Sequence, residues 1–235
     1  MDKLPLKKER RRRYVLEFLS IFIAVISAFA LNNWNDYRKN VHAESKILRE
    51  INNGLSKDLQ DLKLNVKGHQ VGLRACKVWN QILVKGTYTG DSIQEHYLNL
   101  TRDFINVQNV AGYSTLKSKG LEVVRNDKLR QEIISLYEYD YNTLRKLEEE
   151  YEEMQFQKSY FNTINSMLAP QLKFNNAGRI ISIQQPFSIS VGDHQIMRSI
   201  LLKIYSNRLF ILQYYQQLEY RLKHLQNSIQ FELGI

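Results

Sequence analysis

The chain has 235 residues, 43% of them apolar, with ten glycines, three prolines and a formal charge of +9 at pH 7. That length and apolar content allow one buried core, the scarcity of helix breakers favours long helices, and a single cysteine, Cys76, excludes an intrachain disulfide. The charge excludes less than it suggests, because Lys3, Lys7, Lys8, Arg10, Arg11, Arg12 and Arg13 crowd the first thirteen positions against only Asp2 and Glu9. The surplus left for the rest is thin, and no nucleic-acid partner is expected.

Residues 14–34 are the one stretch that water would refuse. From Phe18 to Leu31 there is no charge, and only Ser20 and Ser27 are polar. A helix from Tyr14 to Trp34 is about 31 Å long, enough for a hydrocarbon core of roughly 30 Å. The spacing predicts a transmembrane anchor, which divides the chain into a basic tail (1–13), the anchor (14–34) and an extracytoplasmic domain (35–235). The basic flank holds the amino terminus in the cytoplasm. Glu17 falls within a turn of that flank, where Arg13 can neutralise it, and Trp34 suits the far interface. A basic stretch, an apolar run of fourteen and Ala28-Phe29-Ala30 also describe a cleavable signal peptide, so both readings stand at this stage.

Beyond the anchor, residues 37–85 read as one long helix. Leu48, Ile51, Leu55, Leu59, Leu62, Val66 and Leu73 recur at steps of three and four and form a stripe. Gly54, Gly68 and Gly72 weaken it, and a bend or break is expected between Lys67 and Gly72. Residues 85–91 form a turn, with Asp91 or Ser92 capping a helix that holds Ile93, Tyr97, Leu98, Leu100 and Phe104. Residues 108–126 give a short helix and a loop, with Gly120 at a helix end. Asp127 to Leu168 reads as a helix of about forty residues with Ile133, Tyr137, Leu144, Leu147, Tyr151, Met154 and Phe161 along a seam that Asp140 and Lys158 interrupt. Its glutamates at 148, 149, 150, 152 and 153 point round the circumference, as a solvated face.

Pro170 ends that helix, and the period-two pattern of Ile181, Ile183, Phe187, Ile189 and Val191 suits one small β-hairpin near 179–191, with Asn175, Asn176 and Gly178 at its turn. A structureless stretch this long is the first place to seek a recognition surface. The last helix, Asp193 to about Phe231, carries Met197, Leu201, Ile204, Arg208, Ile211, Tyr215, Leu218, Leu222, Leu225 and Ile229 at an unbroken 4-3-4-3 spacing, the pattern of a coiled coil. Arg208 is its one polar guest, expected opposite Asp140 or a glutamate of helix 127–168. The first half of this helix has enough apolar residues, among them Ile196, Leu209 and Phe210, to be buried on two sides. The seam packs against helix 127–168 in one reading and against a second protomer in the other. The fold class is therefore all-α: an N-terminal transmembrane helix followed by an elongated antiparallel helical bundle with one small hairpin.

Two patches resemble a known family. The apolar run ending in Leu31-Asn32-Asn33-Trp34-Asn35-Asp36, and Tyr113-Ser114-Thr115-Leu116-Lys117-Ser118-Lys119-Gly120 followed by Asn126, Asp127, Lys128, Leu129 and Arg130, look like the anchor and the second motif of the DUF6090 family, membrane-anchored proteins of Bacteroidetes-type bacteria. Lys119 and Asp36 depart mildly from its usual Ser and Glu. The resemblance implies an inner-membrane envelope protein with an uncleaved anchor and a periplasmic helical domain, and it implies no activity.

The residues themselves offer no enzyme chemistry. His42, His69, His96, His194 and His224 lack metal-ligand spacing, no glycine-rich nucleotide loop or G-x-S-x-G occurs, and Cys76 is expected to be buried. No catalytic residue, metal or cofactor is expected. Tyr137, Tyr139 and Tyr141 cannot share a helical face and belong to packing. Two functions follow. In one the domain is a scaffold or sensor working by protein contacts, through 169–192 or the terminal seam of Arg208, Ile211, Tyr215, Leu218, Leu222 and Leu225. In the other, anchors gather as a homo-oligomer that permeabilises the membrane, with Glu17, Ser20 and Ser27 facing one another. Lys7 to Arg13 can bind anionic lipid in either case.

Overall fold

The computed structural model describes residues 6–235; residues 1–5 of the basic tail and the side chains of residues 6–10, including Lys7, Lys8 and Arg10, lie outside the description. One helix, α1, runs from Leu6 to Lys85 without interruption, about 120 Å at 1.5 Å per residue. It is both the apolar stretch and the spine of the domain. Residues 11–40 are exposed on all sides, and burial begins at Glu44, Ile47 and Leu48.

After α1 come α2 (Ile93–Leu100), α3 (Ala111–Lys119) and a single 3₁₀ turn at Leu121–Val123. The expected forty-residue helix is instead a chain of short pieces. These are α4 (Asp127–Ile134), a π-helical turn (Ser135–Asp140), α5 (Tyr141–Arg145), a second π turn (Lys146–Glu150), a 3₁₀ turn (Glu152–Met154) and α6 (Phe156–Leu168). The run breaks at Tyr151, whose backbone is extended and whose ring is 47% exposed. The reason is side-chain competition: Gln155 Nε2 donates to the Glu149 carbonyl and Ser159 Oγ to the Glu152 carbonyl, taking over acceptors that a continuous helix would use.

The hairpin exists, displaced from its expected position. Strands β1 (Leu172–Phe174) and β2 (Ile180–Ile183) pair antiparallel, Leu172 opposite Ile183, around the turn of Asn175 to Arg179, where Gly178 supplies a φ of 72°. The segment expected to form the second strand stays unpaired because Pro186 has no amide hydrogen to donate. There Phe187 packs on Trp79, and its amide bonds to the Gly86 carbonyl.

The closing helix α7 (Val191–Leu233) starts at a Ser190 cap whose hydroxyl accepts from the Asp193 amide, and it ends at Gly234 in the left-handed conformation. It runs antiparallel to α1. His194 lies by the Leu83 carbonyl, Arg208 faces Gly72, and Gln226 donates to Ser56 Oγ. The whole 4-3-4-3 seam from Met197 to Ile229 is buried, and its principal partner is α1, with the short pieces of segment 127–168 closing the core from the side. The seam is thus an intrachain interface, and Arg208, Ile211, Tyr215, Leu218, Leu222 and Leu225, each at most 2% exposed, present nothing to a second protomer. The first half of α7 is buried on one side only: Ile196, Leu202, Leu209 and Phe210 remain 41–66% exposed.

No break occurs at Lys67 to Gly72. The two glycines there are points of close approach, since a Cβ on Gly68 would lie 2.3 Å from the Phe104 ring and one on Gly72 would lie 2.4 Å from the Arg208 guanidinium carbon. Phe104 itself has left α2, which ends at Leu100, and belongs to an extended strap of residues 101–110.

Candidate functional site: a polar clamp beneath an extended strap

The strap runs along α1, from Phe104 at Gly68 to Asn109 at Gly54, with no neighbouring strand, so its amides must find other acceptors. They find carboxylates. Asp58 and Asp61 sit three apart on one face of α1. Asp58 Oδ1 accepts the Asn109 amide at 2.7 Å, and Asp61 Oδ2 accepts the Val107 amide and the Asn106 side-chain amide, both at 2.9 Å. From the second π turn, Glu148 Oε2 accepts the Asn106 amide at 3.0 Å, and Asp103 on the strap accepts the Phe156 amide at 2.7 Å. Tyrosines complete the shell: Tyr141 donates to Asp58 at 2.5 Å, and Tyr215 of α7 donates to Glu148.

Arg208 holds the strap's upstream end. Its Nη2 donates to the carbonyls of Leu100 (3.1 Å), Arg102 (3.0 Å) and Asn99 (3.3 Å), where α2 exposes unpaired acceptors and the negative end of its dipole. Its Nη1 meets His69 Nδ1 at 3.2 Å, and the guanidinium lies 4.4 Å from the Phe156 ring centre. The expected carboxylate partner is absent: Asp140 pairs instead with Arg221 at 2.6 Å, and no glutamate of 148–153 bonds to Arg208. A helix end supplies what a carboxylate would have supplied: the carbonyls at the end of α2 take the guanidinium, while segment 127–168 gives it only the ring of Phe156.

Burial sets the electrostatics. It pushes the Glu148 carboxyl up to about 7 against the donation of Tyr215, and Asp58 up to about 6 against that of Tyr141. Burial and then the Arg208 charge push His69 down to about 3, which keeps the ring neutral and leaves Nδ1 free to accept. Burial pushes the Cys76 thiol up to about 11, so it is no ready nucleophile. Among the described residues no group of three or more His, Cys, Asp or Glu side chains could hold a metal ion. The carboxylates are spent on strap amides and tyrosine hydroxyls, and Glu148, Asp58 and Arg208 have no open face to a substrate.

The sequence pattern makes the glutamate run a solvated face, and that expectation hides the clamp. That reading fits Glu149, Glu150 and Glu152, which are exposed, and fails for Glu148, 7% exposed. A signal was present, since Glu148 continues the stripe of Ile133, Tyr137, Tyr141 and Leu144. Asp58, Asp61, Asn65, Gly68 and Gly72 likewise recur at 3-4-3-4, a stripe of polar and small residues along one side of α1.

The anchor residues are laid out along an exposed helix. Arg11, Arg12, Arg13, Tyr14, Glu17, Ser20, Ser27 and Trp34 all face outward. Arg13 Nε pairs with Glu17 at 3.1 Å, Ser20 Oγ donates to the Glu17 carbonyl at 2.8 Å, and Arg38 lies over the Trp34 ring at 5.1 Å. One helix among the described residues is long and apolar enough to cross a membrane, and none of its apolar window is buried. The buried titratable residues Asp58, His69, Glu148 and Arg208 thus lie in the domain, away from the predicted anchor set. In comparisons with known proteins, no family model, no curated protein and no solved structure matches the chain.

Proposed function

We propose that the chain is a single-pass protein of a bacterial inner membrane, with its basic end in the cytoplasm and its helical domain in the periplasm, acting as a scaffold or sensor through protein contacts. The observation that carries this reading is α1. Its residues 14–34 expose Val15, Leu16, Phe18, Ile21, Phe22, Ile23, Phe29 and Leu31 on every side, an arrangement suited to lipid, while the same helix continues as the buried spine of the domain. The adjoining Arg11 to Arg13 suit anionic headgroups. The hairpin offers Phe174 and Ile181, each more than half exposed, as one contact point for a partner. The test is protease added to intact spheroplasts, with the chain's mass read by native mass spectrometry after detergent extraction. Digestion of the domain from outside, together with a full-length mass for the undigested protein, is expected. A protected domain, or a chain shorter by about thirty residues, overturns the reading.

A further inference from the structure

Beside its buried seam, α7 carries a second stripe at heptad spacing: Arg198, Leu202, Tyr205, Leu209 and Leu212. Leu202 is 66% and Leu209 41% exposed, whereas Tyr205 and Leu212 are half-buried. Next to it, α1 presents Cys76, Lys77 and Asn80, and the two helices enclose an open groove of about 720 Å³. Polar residues would suffice for a solvent-facing side, so leucines at these positions call for a cover.

We propose that the cover is a second copy of this chain, packed parallel about a two-fold axis along the membrane normal. The inference rests on the membrane reading above. Because α1 is unbroken from the anchor to Lys85, every residue of the domain stands at a fixed height along one rod. Two copies in one bilayer consequently bring the same stripe to the same height with the same polarity. A parallel pair at 4-3 spacing needs that registry, with Leu202 layered on Leu202, Tyr205 on Tyr205 and Leu209 on Leu209. An unanchored partner has no such constraint.

The area is small. Two helices side by side are about 20 Å wide, and the stripe from Arg198 to Leu212 is about 22 Å long, giving roughly 450 Å² per copy. The total of roughly 900 Å² is below that of specific stable interfaces formed in free solution, so the pair depends on confinement to the bilayer. Lys77 and Arg198 bring like charges near the axis, and confinement of both anchors to one membrane raises the effective concentration against that repulsion.

The test is oxidative cross-linking of full-length Leu202→Cys in native membranes, with Lys173→Cys on the exposed first strand and the unaltered chain as references. Cys76 is buried and stays in place as an internal blank. Each preparation is fractionated into membrane and soluble pools before oxidation. A band of twice the chain mass is expected from membrane-bound Leu202→Cys and from neither reference, with its yield reduced roughly tenfold or more when Leu209→Glu places a charge in the seam. Membrane-bound chain that gives no such band overturns the proposal and leaves the anchor standing. So does a band of any other mass, which identifies a different partner, and so does equal cross-linking at Lys173→Cys, which reports random collision. Chain found in the soluble pool overturns the anchor and, with it, the parallel registry.

Discussion

Gly72→Ala is the substitution for which local and tertiary physics disagree in sign. In an open helix interior, alanine is favoured over glycine by about 1 kcal/mol. At Gly72 the new Cβ would stand 2.4 Å from Arg208 Cζ and 2.5 Å from Nε, more than 1 Å inside ordinary contact at about 3.5–4 Å. Arg208 is wholly buried and cannot swing into solvent. To make room it must stretch or give up bonds to the carbonyls of Asn99, Leu100 and Arg102, each worth about 1.5–3 kcal/mol for a charged donor. Loss of one such bond plus overpacking, set against the helix gain, leaves Gly72→Ala destabilised by about 2–3 kcal/mol. At about 2–4 °C per kcal/mol for a domain of this size, the thermal midpoint falls by roughly 4–12 °C. The measurement is thermal unfolding by circular dichroism in detergent, in a cycle with Arg208→Met. Arg208→Met lowers the midpoint by itself, and Gly72→Ala added to it becomes neutral or mildly stabilising, a coupling of about 2–3 kcal/mol. Gly192→Ala, in an uncrowded first turn of α7, supplies the reference for an alanine with room. A rise in midpoint for Gly72→Ala alone would refute the argument, because it would mean that Arg208 does not fill that space.

Two further predictions concern the clamp and the anchor. Glu148 titrates near 7 and Asp58 near 6 in the folded chain, above their ordinary values of 4.5 and 3.8, so the stability they contribute is full below those ordinary values and is lost as pH rises through 6 to 7. Urea midpoints should therefore fall between pH 5 and pH 8, with Glu148 accounting for a few kcal/mol at most; Glu148→Gln should flatten the profile, and an unaltered slope in that variant counts against a protonated Glu148. Glu17→Ala with Ser20→Leu should leave ion leakage from liposomes unchanged, since Glu17 is paired with Arg13 and Ser20 with its own helix; altered leakage would favour the permeabilising assembly.

What the sequence disclosed depended on how local the cause was. The apolar stretch, the long first helix and the α7 seam are periodic signals carried by single segments, and each appears where the spacing put it. The break at Tyr151 was hidden because it depends on Gln155 and Ser159 capturing backbone acceptors. Such competition leaves the apolar period intact. Propensity marks Gly68 and Gly72 as weaknesses because it knows nothing of Phe104 and Arg208 arriving from 36 and 136 residues further along. Glu148 and Arg208 share a third cause. Each is a polar residue on an apolar stripe, which marks an inward position and leaves the partner unnamed. The partners here are backbone groups of an irregular strap and of a helix end, and no pattern of side chains announces those.

The continuity of α1 has a mechanical consequence. From Trp34 to Lys85 the helix extends about 77 Å with no hinge, and spanning helices tilt on average by about 20°. In the proposed topology such a tilt carries the far end of the domain sideways by about 26 Å, so bilayer thickness and the packing of anchors translate into the lateral reach of the hairpin at the tip. A mast of this kind sweeps a disc instead of holding a point, and the same rigidity returns any torque applied at the tip to the lipid below.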